Sequence, residues 1–194
     1  MGVSRRFEES VENIDPKSQT IVRKMCRSFI FRGAVGALAI SMLGAVTTSA
    51  EEVRPLMTLD LAKKMADACE DAQVREGWPK INIAVVDRGA DLVLFRRQDD
   101  AFLGSVNISI DKAKSAASIP IPTRTIAELV YGKDGEPGPL PGLAFSEVVA
   151  FPGGLPIRNA SGALVGAVGV SGASADQDEN CAKAAIAAIA GELE

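Results

Sequence analysis

The chain has 194 residues, of which 47% are hydrophobic and 24% charged, a composition typical of an ordinary globular domain. It contains no histidine, which excludes Ser-His-Asp and Cys-His catalysis, zinc sites built on imidazole and the proximal ligand of many haem proteins. Its formal net charge is −4, with one Trp and one Tyr, so nucleic-acid binding is not expected, because phosphate binding relies on a basic patch.

The first fifty residues predict a secretory signal peptide. The basic residues Arg27 and Arg32 precede an uncharged run over 33–46, and the small residues of 47–50 suit a cleavage site. The uncharged run is shorter than the about 20 residues that cross a bilayer. A buried or membrane-anchoring N-terminal helix is the alternative.

This signal divides the chain into a polar leader or overlong n-region over 1–24, a signal peptide over 25–50 and a single domain over 51–194. Residues 1–50 hold seven basic and four acidic residues, so their removal changes the net charge from −4 to −7. We expect a periplasmic or secreted protein without membrane contact after cleavage, because no second membrane segment follows.

The domain is predicted to open with a helix and a β-hairpin. Thr58 suits the N-cap of a helix that runs to about Glu76. Apolar residues then alternate over 81–85, a turn is predicted over 87–91, and a returning strand over 92–96.

Two helices are predicted in the middle of the chain. The first carries an apolar stripe at helical spacing and ends before Pro120. Thr125 and Glu128 have the spacing of a capping box for a short second helix, which Gly132 ends. The stripe of the first helix consists of Phe102, Val106, Ile110, Ala113 and Ala117.

Three more strands and a last helix complete the prediction. The strands are expected over 148–151, 156–158 and 163–171, and the helix opens at the acidic residues of 176–179. The pattern therefore predicts an α+β domain with an antiparallel sheet and helices packed on it.

Six segments in the same order resemble the GlcG/HbpS-like family, over about residues 56–190. They are Ile83 to Arg88, Lys112-Ala113-x-x-Ala116 with Pro122-Thr123, Leu140-Pro141-Gly142, Gly153 to Ile157, Val165 to Gly172, and Asp178-Glu179-x-x-Ala182. The resemblance implies a profilin-like fold with a five-stranded antiparallel sheet, assembly into homo-oligomers, and haem or a related tetrapyrrole as ligand. Asp100 stands where the family usually has glycine, and the histidine that ligates haem in some relatives is absent.

The most promising site motif is the turn at Gly153 and Gly154, followed by Pro156. Two glycines permit a backbone that leaves amide donors open to a ligand, but they also suit a plain tight turn. Lys112 lies on a helix that otherwise faces the core, so it either enters a pocket to hold a carboxylate or extends its amine to solvent.

Four further residues are candidates for ligand binding. Thr123 and Arg124 suit an anion at a helix start, or helix capping alone. Asp87 suits turn chemistry or ligand contact. Glu179, next to Asp178, suits cation binding or acid–base work, or favourable placement at a helix N-terminus. No metal site is predicted and no catalytic residue is assigned.

These observations favour an exported small-ligand-binding protein with haem or a related tetrapyrrole as ligand. The alternative is an isomerase- or lyase-type enzyme for a small carboxylate, in which Lys112 and Arg124 hold the anion and Asp87 or Glu179 moves a proton. A second alternative is an oligomeric scaffold or regulator.

Two cysteines fall on the first and last helices of the domain. In a profilin-like arrangement these helices lie on the same side of the sheet, and export would permit a disulfide between Cys69 and Cys181. Two free buried thiols are the alternative, since the pairing depends on a Cα separation that periodicity does not supply.

Overall fold

The computed structural model describes residues 56–193, so the predicted leader and signal peptide lie outside the described residues. Within this range no helix is both long and apolar enough to cross a bilayer. The helices are α1 (Leu59–Glu76), α2 (Ser105–Ser118), α3 (Thr123–Tyr131) and α4 (Ala175–Ile189), with short 3-10 turns at Pro141–Phe145 and Ala190–Glu192. The strands are β1 (Asn82–Asp87), β2 (Leu92–Arg97), β3 (Gly154–Arg158) and β4 (Leu164–Ser171).

The described sheet has four strands in the order β2-β1-β4-β3, and every neighbouring pair is antiparallel. The prediction of an α+β domain with an antiparallel sheet and flanking helices is confirmed, but the fifth strand over 148–151 is wrong. The backbone N–H of Val149 donates to Ser115 Oγ of α2 at 2.8 Å, and Ala150 packs with Ile126 and Val130 of α3. This segment therefore pairs with helices instead of extending the sheet.

Helices cover both faces of the sheet. On one face, Ile83, Val85 and Val168 pack against α1 and α4 in the main apolar core. On the other face α2 packs against small residues of the strands. A Cβ on Gly169 would lie 2.1 Å from the backbone oxygen of Ser109, and one on Gly154 would lie 2.5 Å from that of Lys112. Glycine at these positions lets α2 lie directly on the sheet backbone.

The helix ends confirm some of the predicted signals. Thr58 caps α1 by accepting a hydrogen bond from Leu61 N at 3.2 Å, and Gly132 ends α3. The predicted capping box of Thr125 and Glu128 is wrong, because α3 begins two residues earlier, directly after Pro122. Proline fixes its own φ and lacks an N–H, which suits a helix start.

The helix that was predicted to carry the apolar stripe from Phe102 to Ala117 is shorter than that stripe suggests. Phe102 precedes α2, which begins at Ser105, and its side chain is exposed. The start of α4 is capped by side chains that the prediction did not include, because Ser174 and Gln177 form a full capping box.

Cys69 of α1 and Cys181 of α4 form a disulfide, with Cα atoms 4.8 Å apart. Both cysteines are fully buried. The first and last helices of the domain do lie on one side of the sheet, and the bond fixes that contact covalently.

Candidate functional site

Lys112 is the largest fully buried side chain of the described residues. Its Nζ donates to the backbone oxygen of Val170 at 2.8 Å and to Asp178 Oδ2 at 2.9 Å. Asp178 is buried as well, and its Oδ1 accepts from Ala173 N at 3.0 Å. The pair joins α2, on one face of the sheet, to the start of α4 on the other.

The Gly153-Gly154 turn makes room for this pair. Gly153 has φ of +122°, and a Cβ there would lie 2.6 Å from Lys112 Nζ. The Lys112 Nζ also lies 4.7 Å from the ring centre of Phe151, within the range of a cation–π contact. The lack of a side chain at Gly153 thus leaves space for the buried end of the Lys112 side chain.

Burial is the largest influence on the pKa of both Lys112 and Asp178. It lowers the pKa of the Lys112 ammonium, and the attraction of Asp178 opposes this only in part. It raises the pKa of the Asp178 carboxyl against the effects of Lys112 and of the Ala173 and Gly172 amides. Since isolated charges are costly away from water, each partner depends on the other.

Thr123 fixes the other side of the same turn. Its Oγ1 accepts a hydrogen bond from the backbone N–H of Gly154 at 2.9 Å. The Gly154 amide, a predicted ligand donor, is therefore used inside the protein. Thr123 is fully buried, so the contact ties α3 to β3.

Arg124 and Glu179 meet in a charge network at the start of α4. Arg124 Nε donates to Glu179 Oε2 at 2.7 Å and its NH2 group to Asp176, while Lys183 Nζ lies 2.7 Å from Glu179 Oε1. Burial alone would raise the pKa of Glu179, but the hydrogen bonds of Lys183 and Arg124 outweigh it and lower that pKa. The cation and the anion expected to act on a ligand neutralise each other.

The two remaining predicted residues lie elsewhere. Asp87 accepts hydrogen bonds from Gly89 N at 2.8 Å and Asp91 N at 3.0 Å in the β1–β2 turn. It pairs with Gly166, four residues along β4 from Val170, which is about 13 Å of strand from the Lys112 contact. Pro156 lies within β3, where it pairs with Ala167 of β4. The structure thus brings together Lys112, Gly153, Gly154 and Thr123, with Arg124 and Glu179 on neighbouring turns of α3 and α4.

A cleft on the outer side of α2 includes none of the predicted site residues. It has a volume of about 790 Å³ and is closed on its far side by the segment that follows the first 3-10 turn. Its lining is Asp111, Lys114, Ser115 and Ser118 of α2, Ser146 to Val149, and Ala90.

Sequence reasoning missed these residues, although a signal existed. Positions 111, 114, 115 and 118 follow the i, i+3, i+4, i+7 spacing that places side chains on one face of a helix. The stripe is polar, and a polar stripe on a surface helix is usually solvated. Only the position of the 146–149 segment turns this face into the wall of a cleft.

The family model described as "Haem degrading protein HbpS-like" matches residues 57–187. The chain belongs to the HbpS-like family. The predicted relationship to GlcG/HbpS-like proteins is thereby confirmed.

Two proteins of Citrobacter freundii are similar to this HbpS-like chain. A 15.0 kDa protein encoded in the dhaT–dhaS intergenic region is 39% identical over 134 residues, which cover 67% of this chain and 89% of that protein. The corrinoid adenosyltransferase PduO is 32% identical over 157 residues, or 76% of this chain and 43% of PduO.

Solved HbpS-like structures have the same fold. ORFY of Klebsiella pneumoniae superposes with a TM-score of 0.65 at 33% identity, covering 77% of this chain and all of ORFY. A complex of PduOC with haem superposes with a TM-score of 0.60 at 27% identity, covering 69% of this chain and 95% of PduOC. A double mutant of Streptomyces reticuli HbpS superposes with a TM-score of 0.59 at 31% identity, covering 80% of this chain and 97% of HbpS.

The described part of this HbpS-like chain offers few side chains of the types that bind haem iron. These types are histidine, cysteine thiolate, methionine and tyrosine. Histidine is absent, Cys69 and Cys181 are bonded to each other, and the two methionines within residues 56–193 are buried. Tyr131, at the end of α3, is 70% exposed and lines a small depression of about 320 Å³ with residues 132–137.

Proposed function

We propose that this protein binds a small molecule and that its ligand is haem or a related tetrapyrrole. The relatives supply the ligand class, since a haem complex of PduOC is among the similar structures. The observation that carries the proposal for this chain is Tyr131, an exposed phenol in a domain that holds no other accessible iron ligand of the usual kinds among residues 56–193.

The depression at Tyr131 is lined by residues 132–137, including Lys133, Asp134 and Glu136, and the apolar side chains of Leu140 and Phe145 follow it along the chain. Leu140 donates its backbone N–H to Leu129 O beside the last turn of α3, and its side chain is half exposed. Phe145, on the adjoining 3-10 turn, is 93% exposed. Lys133 lines the depression and forms an exposed ion pair with Glu128 at 3.0 Å, a contact weak enough to exchange for another carboxylate.

In this arrangement Tyr131 would hold the iron through its phenol oxygen, Leu140 and Phe145 would contact the ring, and Lys133 would pair with a propionate. Haem, when bound, supplies a redox-active iron. The protein's own contribution is to bind and orient it.

Haem titration followed by visible absorbance tests the proposal. The native protein is expected to give a saturable Soret shift at micromolar concentration. Tyr131→Phe is expected to bind more weakly and to change the spectrum, because a phenolate ligand gives its own charge-transfer bands. Phe102→Leu, another exposed aromatic residue near the start of α2, serves as the control and is expected to behave as the native protein. No saturable shift would overturn the proposal, and an unchanged Tyr131→Phe spectrum would remove Tyr131 from the iron.

The enzyme and scaffold hypotheses stay predictions. The internal pairing of Lys112 with Asp178 and of Arg124 with Glu179 gives no support to a carboxylate site built from these residues.

We also propose that the protein acts after export, in the periplasm or outside the cell. The signal-like N-terminal sequence and the disulfide between α1 and α4 support this, because such bonds persist in oxidising compartments. Fractionation of cells that express the full chain, followed by mass measurement, tests it. A cytoplasmic protein that retains residues 1–50 would contradict it.

Self-association is proposed on the resemblance to the family. Light scattering of the exported protein at tens of micromolar tests it, and a mass equal to one chain would count against it.

A further inference from the structure

The cleft on the outer side of α2 carries charges that the protein leaves unpaired. Asp111, Lys114 and Glu147 are all exposed, and none of them forms a hydrogen bond or ion pair through its side chain with another residue of the described range. In contrast, Lys112 and Arg124 each bind carboxylates within the protein. Charges of both signs in one concave site are available to a ligand.

Hydroxyl groups lie between these charges. Ser115 accepts the backbone N–H of Val149 at 2.8 Å and still has its own proton to donate. Ser146 donates to Leu143 O at 2.6 Å and keeps an oxygen that can accept. The hydrogen bond between Ser115 and Val149, which is partly buried, also joins the two walls of the cleft.

The size of the cleft suits a small molecule. Its volume of about 790 Å³ lies within the about 300–1,000 Å³ of ligand pockets. The polar stripe from Asp111 to Ser118 spans eight residues of helix, or about 10 Å from end to end. A ligand of a few heavy atoms up to that length can reach both signs of charge.

We propose that this cleft is a second binding site, which takes a small zwitterion with its ammonium group toward Asp111 and Glu147 and its carboxylate toward Lys114. The balance of charges favours this class over others. A dicarboxylate would meet two like charges and only one ammonium, and a simple cation would leave Lys114 without a partner. The cleft shares no lining residue with the depression at Tyr131, and the inference does not use the proposed haem binding.

The probe is 6-aminohexanoate, whose two charges lie at opposite ends of a short alkyl chain, compared with hexanoate and hexylamine. Binding to the ¹⁵N-labelled protein is followed by NMR at low salt. The zwitterion is expected to bind up to about fivefold more tightly than either single-charge analogue, which is the most that one additional exposed ion pair supplies. The amides that shift are expected to lie within 111–118 and 146–149, and added salt is expected to weaken binding.

Substitutions in the cleft test which of its charges contact the ligand. Lys114→Met is expected to reduce 6-aminohexanoate binding to the level of hexylamine, and the double variant Asp111→Asn/Glu147→Gln to the level of hexanoate. Lys80→Met and Asp71→Asn, which change exposed charges outside the cleft, are the matched controls and should leave binding unchanged. Equal binding of the three probes, no saturable shift in the native protein, or an advantage of the zwitterion that survives in all cleft variants would each overturn the proposal.

Discussion

The two sides of helix α2 use charged residues in opposite ways. Lys112 points into the fold, where Asp178 and the Val170 carbonyl accept hydrogen bonds from its ammonium group. Asp111 and Lys114, its neighbours along the chain, point outward into a cleft and have no ionic partner among the described residues. A charge that the protein has already paired is not available to a ligand, whereas an unpaired charge in a concave surface is.

Breaking the buried pair should give the largest effect. Asp178→Ala leaves the Lys112 ammonium buried without a counter-charge, and we expect a loss of about 3–5 kcal/mol of unfolding free energy, measured by urea denaturation. The double variant Lys112→Met/Asp178→Leu removes both charges and should recover most of that stability. An Asp178→Ala protein as stable as the native one would contradict the structural role of the pair.

The next largest effect is expected at Gly153. Alanine there would adopt a φ of +122° and place its Cβ 2.6 Å from both Lys112 Nζ and the Val170 oxygen. We expect Gly153→Ala to destabilise the protein by about 1–3 kcal/mol in thermal or urea unfolding. Gly142→Ala is the control, because a Cβ there meets nothing within 4 Å. Equal stability of the two variants would show that Lys112 does not need this opening.

A smaller, pH-dependent effect is expected at Glu179. Its pKa is lowered in the folded protein below the ordinary value of about 4.3, so its contribution is present above that pH and is lost as the pH falls through the folded pKa. The native protein should therefore lose stability below about pH 4.3 more steeply than Glu179→Gln does, by urea unfolding between pH 6 and 3. Parallel profiles for the two proteins would argue against a stabilising carboxylate at this position.

The smallest effect on stability is expected in the cleft. Lys114→Met and Asp111→Asn remove exposed charges that pair with nothing described, so each should change the unfolding free energy by less than about 0.5 kcal/mol. A loss similar to that of Asp178→Ala would mean that the cleft charges are structural after all.

Local signals in the sequence predicted most of the fold. Thr58, Gly132 and the alternation over 81–85 act through capping, glycine geometry and strand periodicity, which need no distant partner. The fifth strand failed because residues 148–151 are apolar enough for a strand but find their hydrogen-bond and packing partners on α2 and α3. Such competition between partners distant in sequence is invisible to local patterns.

The candidate site was predicted less well, for a related reason. The motif residues Lys112, Thr123 and Gly154 do meet, but they bind one another, and sequence alone does not tell whether a polar group faces a ligand or a protein partner. The cleft depends on how the 146–149 segment lies across α2, and no local signal specifies that placement. Tyr131 was overlooked because a lone tyrosine carries no motif; the elimination of other iron ligands gives it significance.

The disulfide between α1 and α4 also bears on how the protein responds to a cut backbone. Its two cysteines are 112 positions apart, and all four strands lie between them, as does the exposed loop over 132–146. A protease that cleaves this loop once yields two polypeptides that stay joined through sulfur and separate on a denaturing gel only after reduction. Each half still contributes two strands to the sheet, because the cut falls between β2 and β3 and the strands pair across it. A nicked molecule of this protein can thus persist as a single particle with the cleft wall on α2 in place.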